Sequence, residues 1–234
     1  MATLRILSAG AAQSVTERLI ERFRRETGHE VIADFGAVGA MKGKVMGGQA
    51  VDVIILTAPM IDSLVTAGLV QAGTRVDLGK VGTGVAVRAG IPVPDVSTAE
   101  LLRARILSAT RIVFPDPAIA TAGKVVMTLL EKLGVRDEVA GRIQLFPNGF
   151  AAMNWLAQTQ GTGELGITQA TEILPNAGVS YAGPLPEAFQ MKAVYSAGLA
   201  AQAPQAALAR EFIAHFSAPS ARPMLAAAGY EFDS

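Results

Sequence analysis

LRILSAGAA at residues 4–12, VIADFGAVGA at 31–40 and VDVIILTA at 51–58 are the stretches that decide the fold of this chain. Each is an apolar run that stops in small residues just before a helix signal. After the first run, Ser14-Val15-Thr16-Glu17 has the form of a capping box, and Val15, Leu19, Ile20 and Phe23 make one helical stripe that Gly28 ends. After the second, a short helix is predicted through Val45 to Gly47-Gly48. The third, Val51 to Leu56, is apolar except for Asp52, which suits a buried parallel strand. Thr57-Ala58-Pro59 then opens a helix, with Pro59 tolerated in its first turn. Strand and helix alternate three times in about 70 residues, which predicts right-handed βαβ units on a parallel sheet and an α/β fold.

A strand that ends in small residues at a helix start leaves backbone N–H groups bare, and the helix dipole favours an anion there. Ser8-Ala9-Gly10-Ala11 and Gly36-Ala37-Val38 are therefore candidate ligand-binding loops. Thr57-Ala58, at the end of the third strand, faces the same way. Close packing of helix on strand uses small residues too, and Thr57 also reads as an ordinary N-cap.

The 234 residues fit one large domain or two small ones. Half are apolar and only 17% charged, enough for a core and against disorder. Net charge is zero with Lys and Arg scattered, against a nucleic-acid partner. The chain has no cysteine and two histidines, His29 and His215, which excludes a thiolate or multi-histidine metal site. No cofactor is implied. No apolar run approaches the roughly 20 residues of a membrane span. Residues 5–12 read as strand plus loop rather than as a stunted export signal, so the expected location is the cytoplasm, or the periplasm where a signal has been removed.

Further along, Val81 to Arg88 is β-rich but broken by glycine, as a crossing strand or hinge is. Ser97 to Glu100 reads as a second capping box. Arg111 to Phe114 and Ile143 to Phe146 read as strands. Thr121-Ala122-Gly123-Lys124 opens a helix and Asn148-Gly149 caps another. Glu164 to Thr168 is a short strand, and Gln169 to Leu174 a short helix. Val179 to Ala182 and Gln190 to Leu199 are strands, and two helices close the chain. Thr121, Ala122, Gly123, Asn148 and Gly149 are candidate ligand donors in this half, with plain capping as the alternative.

Ser8-Ala9-Gly10-Ala11, Phe35-Gly36-Ala37-Val38-Gly39-Ala40, Val51-Asp52-Val53, Asp116-Pro117-Ala118 and Gly166-Ile167-Thr168-Gln169, in that order and spacing, resemble the type II periplasmic solute-binding fold and its molybdate-binding-like group. The resemblance covers nearly the whole chain. It implies two Rossmann-like α/β lobes, residues 1–82 with 196–234 and residues 83–195, joined by two crossings with a ligand cleft at the hinge. It puts Thr168 and Gln169 at a ligand position. It also implies a small anionic ligand and an ABC permease as partners. Molybdate binders of this group carry a serine where Ala11 stands, another where Val38 stands, and a tyrosine where Gln169 stands. A tetrahedral dianion needs nearly every donor it can find, so these exchanges favour an organic carboxylate.

Two classes of function follow. One is a binding protein that closes on a small carboxylate and needs no catalytic group. The other is a cofactor-independent isomerase of an unsaturated di- or tricarboxylate, like the related enzyme aconitate isomerase. Its base would be Lys124, Lys42 or Glu172, and nothing in the sequence selects one. A sensor lobe of a regulator is a third reading, lowered by the lack of a DNA-binding segment.

Overall fold

The computed structural model describes residues 2–232. In chain order the first part comprises β1 (Thr3–Ala9), α1 (Gln13–Thr27), β2 (Glu30–Gly36), α2 (Val38–Met46), β3 (Val53–Thr57), α3 (Ala58–Thr66) and β4 (Val76–Val81). The middle comprises β5 (Thr83–Arg88), α4 (Ala99–Ser108), β6 (Arg111–Pro115), α5 (Thr121–Lys132), α6 (Arg136–Val139), β7 (Ile143–Phe146), α7 (Gly149–Gln158), β8 (Glu164–Gln169), α8 (Ala170–Ile173) and β9 (Val179–Pro184). The chain ends with β10 (Ala193–Leu199), α9 (Ala206–Ser217) and α10 (Ala221–Ala227).

Two compact units result. The first runs to Val81 and resumes at Ala193; the second is Gly82–Lys192. The first unit holds a sheet of order β2-β1-β3-β10-β4, the second one of order β7-β6-β8-β5-β9. The plan is the same in both. Three parallel strands carry the βαβ connections, and a fourth runs antiparallel to both its neighbours. The sheets are therefore mixed, which corrects the expectation of a parallel sheet. Parallel pairing needs a long crossover between partners. β10 and β5 enter each sheet from the other part of the chain without such a helix.

The first unit packs α1, α3 and α9 around Leu4, Ile6, Phe23, Ile54, Ile55 and Phe212. The second has one core around Ile112, Phe114, Leu129 and Ile167, and another around Met153 and Leu156. Trp155 packs at the edge of the latter, tilted against Phe146 with Arg111 over its ring.

Local signals fail in three places. Ser14 does not cap α1. The chain is already helical from a 3-10 turn at Gly10–Ala12, so Ser14 lies inside the helix, where an N-cap's extended backbone is impossible. Its Oγ is buried without a hydrogen-bond partner among the described residues. In the second box the cap is Thr98, whose side chain accepts from the Leu101 amide. Asp95 takes the Ser97 amide at 2.9 Å and so shifts the start by one residue. Finally, β10 begins at Ala193 rather than Gln190. The Gln190 side chain instead pairs with the backbone of Thr83, accepting at 2.8 Å and donating at 2.8 Å.

Candidate functional site

In the first unit, β1 sits between β2 and β3 with Ala9 opposite Gly36 and Ser8 opposite Ile55. One residue further along β2, and two along β3, this register sets Ala37 and Thr57 level with Gly10. All three strands thus end at one height, each feeding a helical segment. The capping residues have nearly one geometry: Ala9 at φ −61°, ψ 144°, Ala37 at φ −62°, ψ 146° and Thr57 at φ −67°, ψ 148°. None supplies a side-chain cap, and none of the three first turns holds an acidic residue. Ala9, Ala11, Ala12 and Val38 are core side chains. The loops therefore turn their side chains inward, and the main chain is what they have to offer a ligand. The Ser8 hydroxyl is buried and donates to the Ala9 carbonyl at 3.1 Å. Pro59 takes one amide out of the α3 start. The first loop is tied down from the far end of the chain, where Tyr230 donates its hydroxyl to the Ala11 carbonyl at 3.3 Å. No sequence pattern around Tyr230 announces that contact.

The second unit treats its helix starts differently. α5 begins after Ala120 with no side-chain cap. Gly123 there serves packing: an added Cβ would lie 2.2 Å from the Pro115 carbonyl oxygen and 2.7 Å from the Pro117 nitrogen. Both are backbone atoms that cannot give way. Gly123→Ala is expected to cost about 2–3 kcal/mol of stability through overpacking. A urea melt within about 0.5 kcal/mol of wild type would refute that role. Lys124, one residue on, is exposed; Lys42 is half-buried on α2. Lys44 is paired with Asp34.

α7 begins with Asn148, whose Oδ1 accepts from the Ala151 amide at 2.8 Å. α8 follows Gln169, itself buried, and its first amide donates to the Gly82 carbonyl at 2.9 Å. Between these two starts lies Glu172. It is 4% exposed and accepts a 2.6 Å hydrogen bond from the buried Thr168 hydroxyl, and the backbone amides of Gly149 and Gln169 lie close enough to favour its ionised form. Burial pushes its carboxyl from the ordinary 4.5 up to about 7, while the Thr168 hydroxyl and these amides pull the other way.

The sign of the pH effect follows. Between 4.5 and about 7 the folded chain keeps a proton that the unfolded chain has lost. Stability is therefore full below 4.5 and falls as pH rises to about 7, by about 3 kcal/mol from this group. Glu172→Gln should flatten that fall. Urea midpoints compared at about pH 5 and pH 8 check it, and equal slopes in the two proteins would contradict a buried acid.

Of the three bases named from the sequence, Glu172 alone is enclosed among other candidate residues. Among the described residues no three His, Asp or Glu side chains lie close enough to hold a metal ion. Among the described residues no helix is long and apolar enough to cross a membrane.

Two α/β units of one strand plan, linked by two crossings and carrying helix starts at the ends of parallel strands, define a solute-binding architecture of the type II periplasmic fold. The chain belongs to the bacterial extracellular solute-binding protein family, whose model matches residues 4–231. It is similar to aconitate isomerase of a Pseudomonas species, 23% identical over 224 residues that span 94% of this chain and 84% of that one. Its fold matches the periplasmic molybdate-binding protein of Azotobacter vinelandii with a TM-score of 0.83 at 22% identity, covering 99% and 100% of the two chains. The sulfate-binding protein of Mycobacterium tuberculosis matches with a TM-score of 0.76 at 18% identity, covering 98% and 86%.

Proposed function

We propose that this chain binds a small organic carboxylate outside the cytoplasmic membrane and delivers it to an ABC permease. The observation that carries the reading is the set of level helix starts after Ala9, Ala37 and Thr57, none capped by a side chain. Amides there are donors without a charge of their own, and a carboxylate satisfies several at once. Thr121, Asn148, Thr168 and Gln169 are the polar candidates of the second unit, and Gln169 can offer an amide NH₂ to a carboxylate oxygen. Hydroxyls are sparse where Ala11 and Val38 stand, which favours a partly apolar carboxylate over a bare tetrahedral dianion.

The test is a thermal-shift and calorimetric panel of succinate, trans-aconitate, sulfate and molybdate. At least one carboxylate should raise the unfolding temperature and be recovered unchanged. Stabilisation by sulfate or molybdate alone would overturn the carboxylate reading.

A second reading is favoured by Glu172 together with the aconitate isomerase relative. A buried carboxyl that titrates near neutrality suits proton transfer along an allylic carboxylate. Incubating pure protein with trans-aconitate and watching for the cis isomer by NMR separates the two, since no isomer at stoichiometric protein removes the enzyme.

A further inference from the structure

Glu172 is a buried acid that anion binding by bare amides leaves unused. It sits in α8 four residues after Thr168, which lies near the end of β8, and its carboxyl is fitted tightly between β8 and the first residue of α7. A Cβ added at Gly149 would lie 2.0 Å from Glu172 Oε2 and 2.3 Å from Thr168 Oγ1. Glycine at that position is what lets the carboxyl reach the amides of Gly149 and Gln169. The chain thus sets an acceptor of its own against backbone of two candidate ligand residues.

Among the described residues no cation contributes to the environment of its carboxyl. α8 packs against α7, β5, β8 and β9. α7 carries no charged residue. Arg88 ends β5 and donates to the carbonyls of Gly161 and Ala89. Glu164 opens β8 and accepts from Thr159. Both stand at the far ends of their strands from the Thr83–Gln169 pair. Tyr181 of β9 lies over Gly84. None of these three contributes to the environment that raises the Glu172 carboxyl. An anion brought to Gln169 and Gly149 therefore meets an uncompensated carboxyl. Two such groups at short range share a proton rather than both remain ionised.

We propose that Glu172 is a specificity-determining residue: anion binding by this chain places a proton on Glu172, so that carboxylates, which can share that proton, are taken in preference to tetrahedral dianions. The proton comes from solvent, and the O–H bond at Glu172 is the only bond formed. The proposal rests on the carboxylate reading above and names the residue that enforces it.

Calorimetric titration with trans-aconitate and with sulfate, from about pH 6 to pH 8 in two buffers of different ionisation enthalpy, tests it. In the wild type the trans-aconitate affinity should fall about tenfold over that range, with proton uptake on binding. Glu172→Gln should keep only the ligand's own titration, and its sulfate affinity at pH 8 should rise at least tenfold. If that variant does not fold, Thr168→Val serves. It removes a hydrogen bond to the ionised form and should move the fall in affinity to higher pH. Carboxylate binding with no pH slope, the same slope in Glu172→Gln, or an unmoved profile in Thr168→Val overturns the proposal and leaves the carboxylate reading standing. Failure of trans-aconitate and succinate alike to bind at any pH overturns both.

Discussion

Asp52→Ala is expected to lower the thermal unfolding temperature by about 10 °C, through the first unit. Asp52 is fully buried. Its Oδ2 accepts from the Arg5 amide at 2.8 Å and its Oδ1 from the Gln205 amide at 2.7 Å. Its own backbone joins Arg5 and Ala200 as well, donating to one at 2.8 Å and accepting from the other at 2.9 Å. One residue thus fastens β1, the entry to β3, the end of β10 and the cap of α9. Alanine would remove two charge-assisted hydrogen bonds and leave two amides without their acceptor. Each such loss costs about 1.5–3 kcal/mol. A total near 3–6 kcal/mol, at roughly 2–4 °C per kcal/mol for a chain of this size, gives a shift of that order. Asp52→Asn keeps an acceptor at one amide and sets a donor against the other, so an intermediate loss is expected. Differential scanning calorimetry reads both. A drop under about 2 °C for Asp52→Ala would show that water or a shifted α9 replaces the carboxylate.

That residue illustrates what was legible beforehand. In the sequence Asp52 is an interruption in an apolar run and one member of a family-like motif, and the run is long enough to be read as a buried strand in spite of it. Its partner at Gln205 lies across the whole second unit in sequence, so no local pattern joins them. The βαβ alternation through Gly68 is legible because strand and helix periods alternate with small residues between them. β4 is not legible. Val76 to Val81 is short and carries Asp77, Gly79 and Lys80, and its strand character comes from pairing with β10.

The candidate site divides in the same way. Helix starts built from Ala9, Gly10, Ala37 and Thr57 are written in local sequence, because small residues at a strand end are both the signal and the structure. That Ala11 and Val38 face the core is a tertiary fact, as is the tether from Tyr230. Glu172 could be named as one of three bases and could not be chosen among them. What singles it out is Gly149, brought in from another strand–helix connection, and burial that the α8 sequence alone does not express.

Ala37→Asp should abolish anion binding, by about 100-fold or more, while leaving the fold intact or more stable. The two effects share one cause. Ala37 is the N-cap of α2, with extended backbone geometry and no side-chain cap. An aspartate there can accept from the amide two or three residues on, and it places a negative charge at the positive end of the helix. Capping of this kind contributes about 0.5–2 kcal/mol to stability. It also fills with a fixed carboxylate the position a ligand carboxylate would take. The ligand loses charge-assisted hydrogen bonds worth about 1.5–3 kcal/mol and meets a like charge besides. Ala37→Ser separates these contributions, since a hydroxyl takes the same amide without the charge; about a tenfold loss is expected. Ala37 is 7% exposed, so the larger side chain must be shown to fit. An unfolding temperature at or above that of the wild type shows it. A stable Ala37→Asp protein that binds its carboxylate as tightly as the wild type would remove the α2 start from the site. Loss of binding together with gained stability is an outcome that damage to the fold cannot produce.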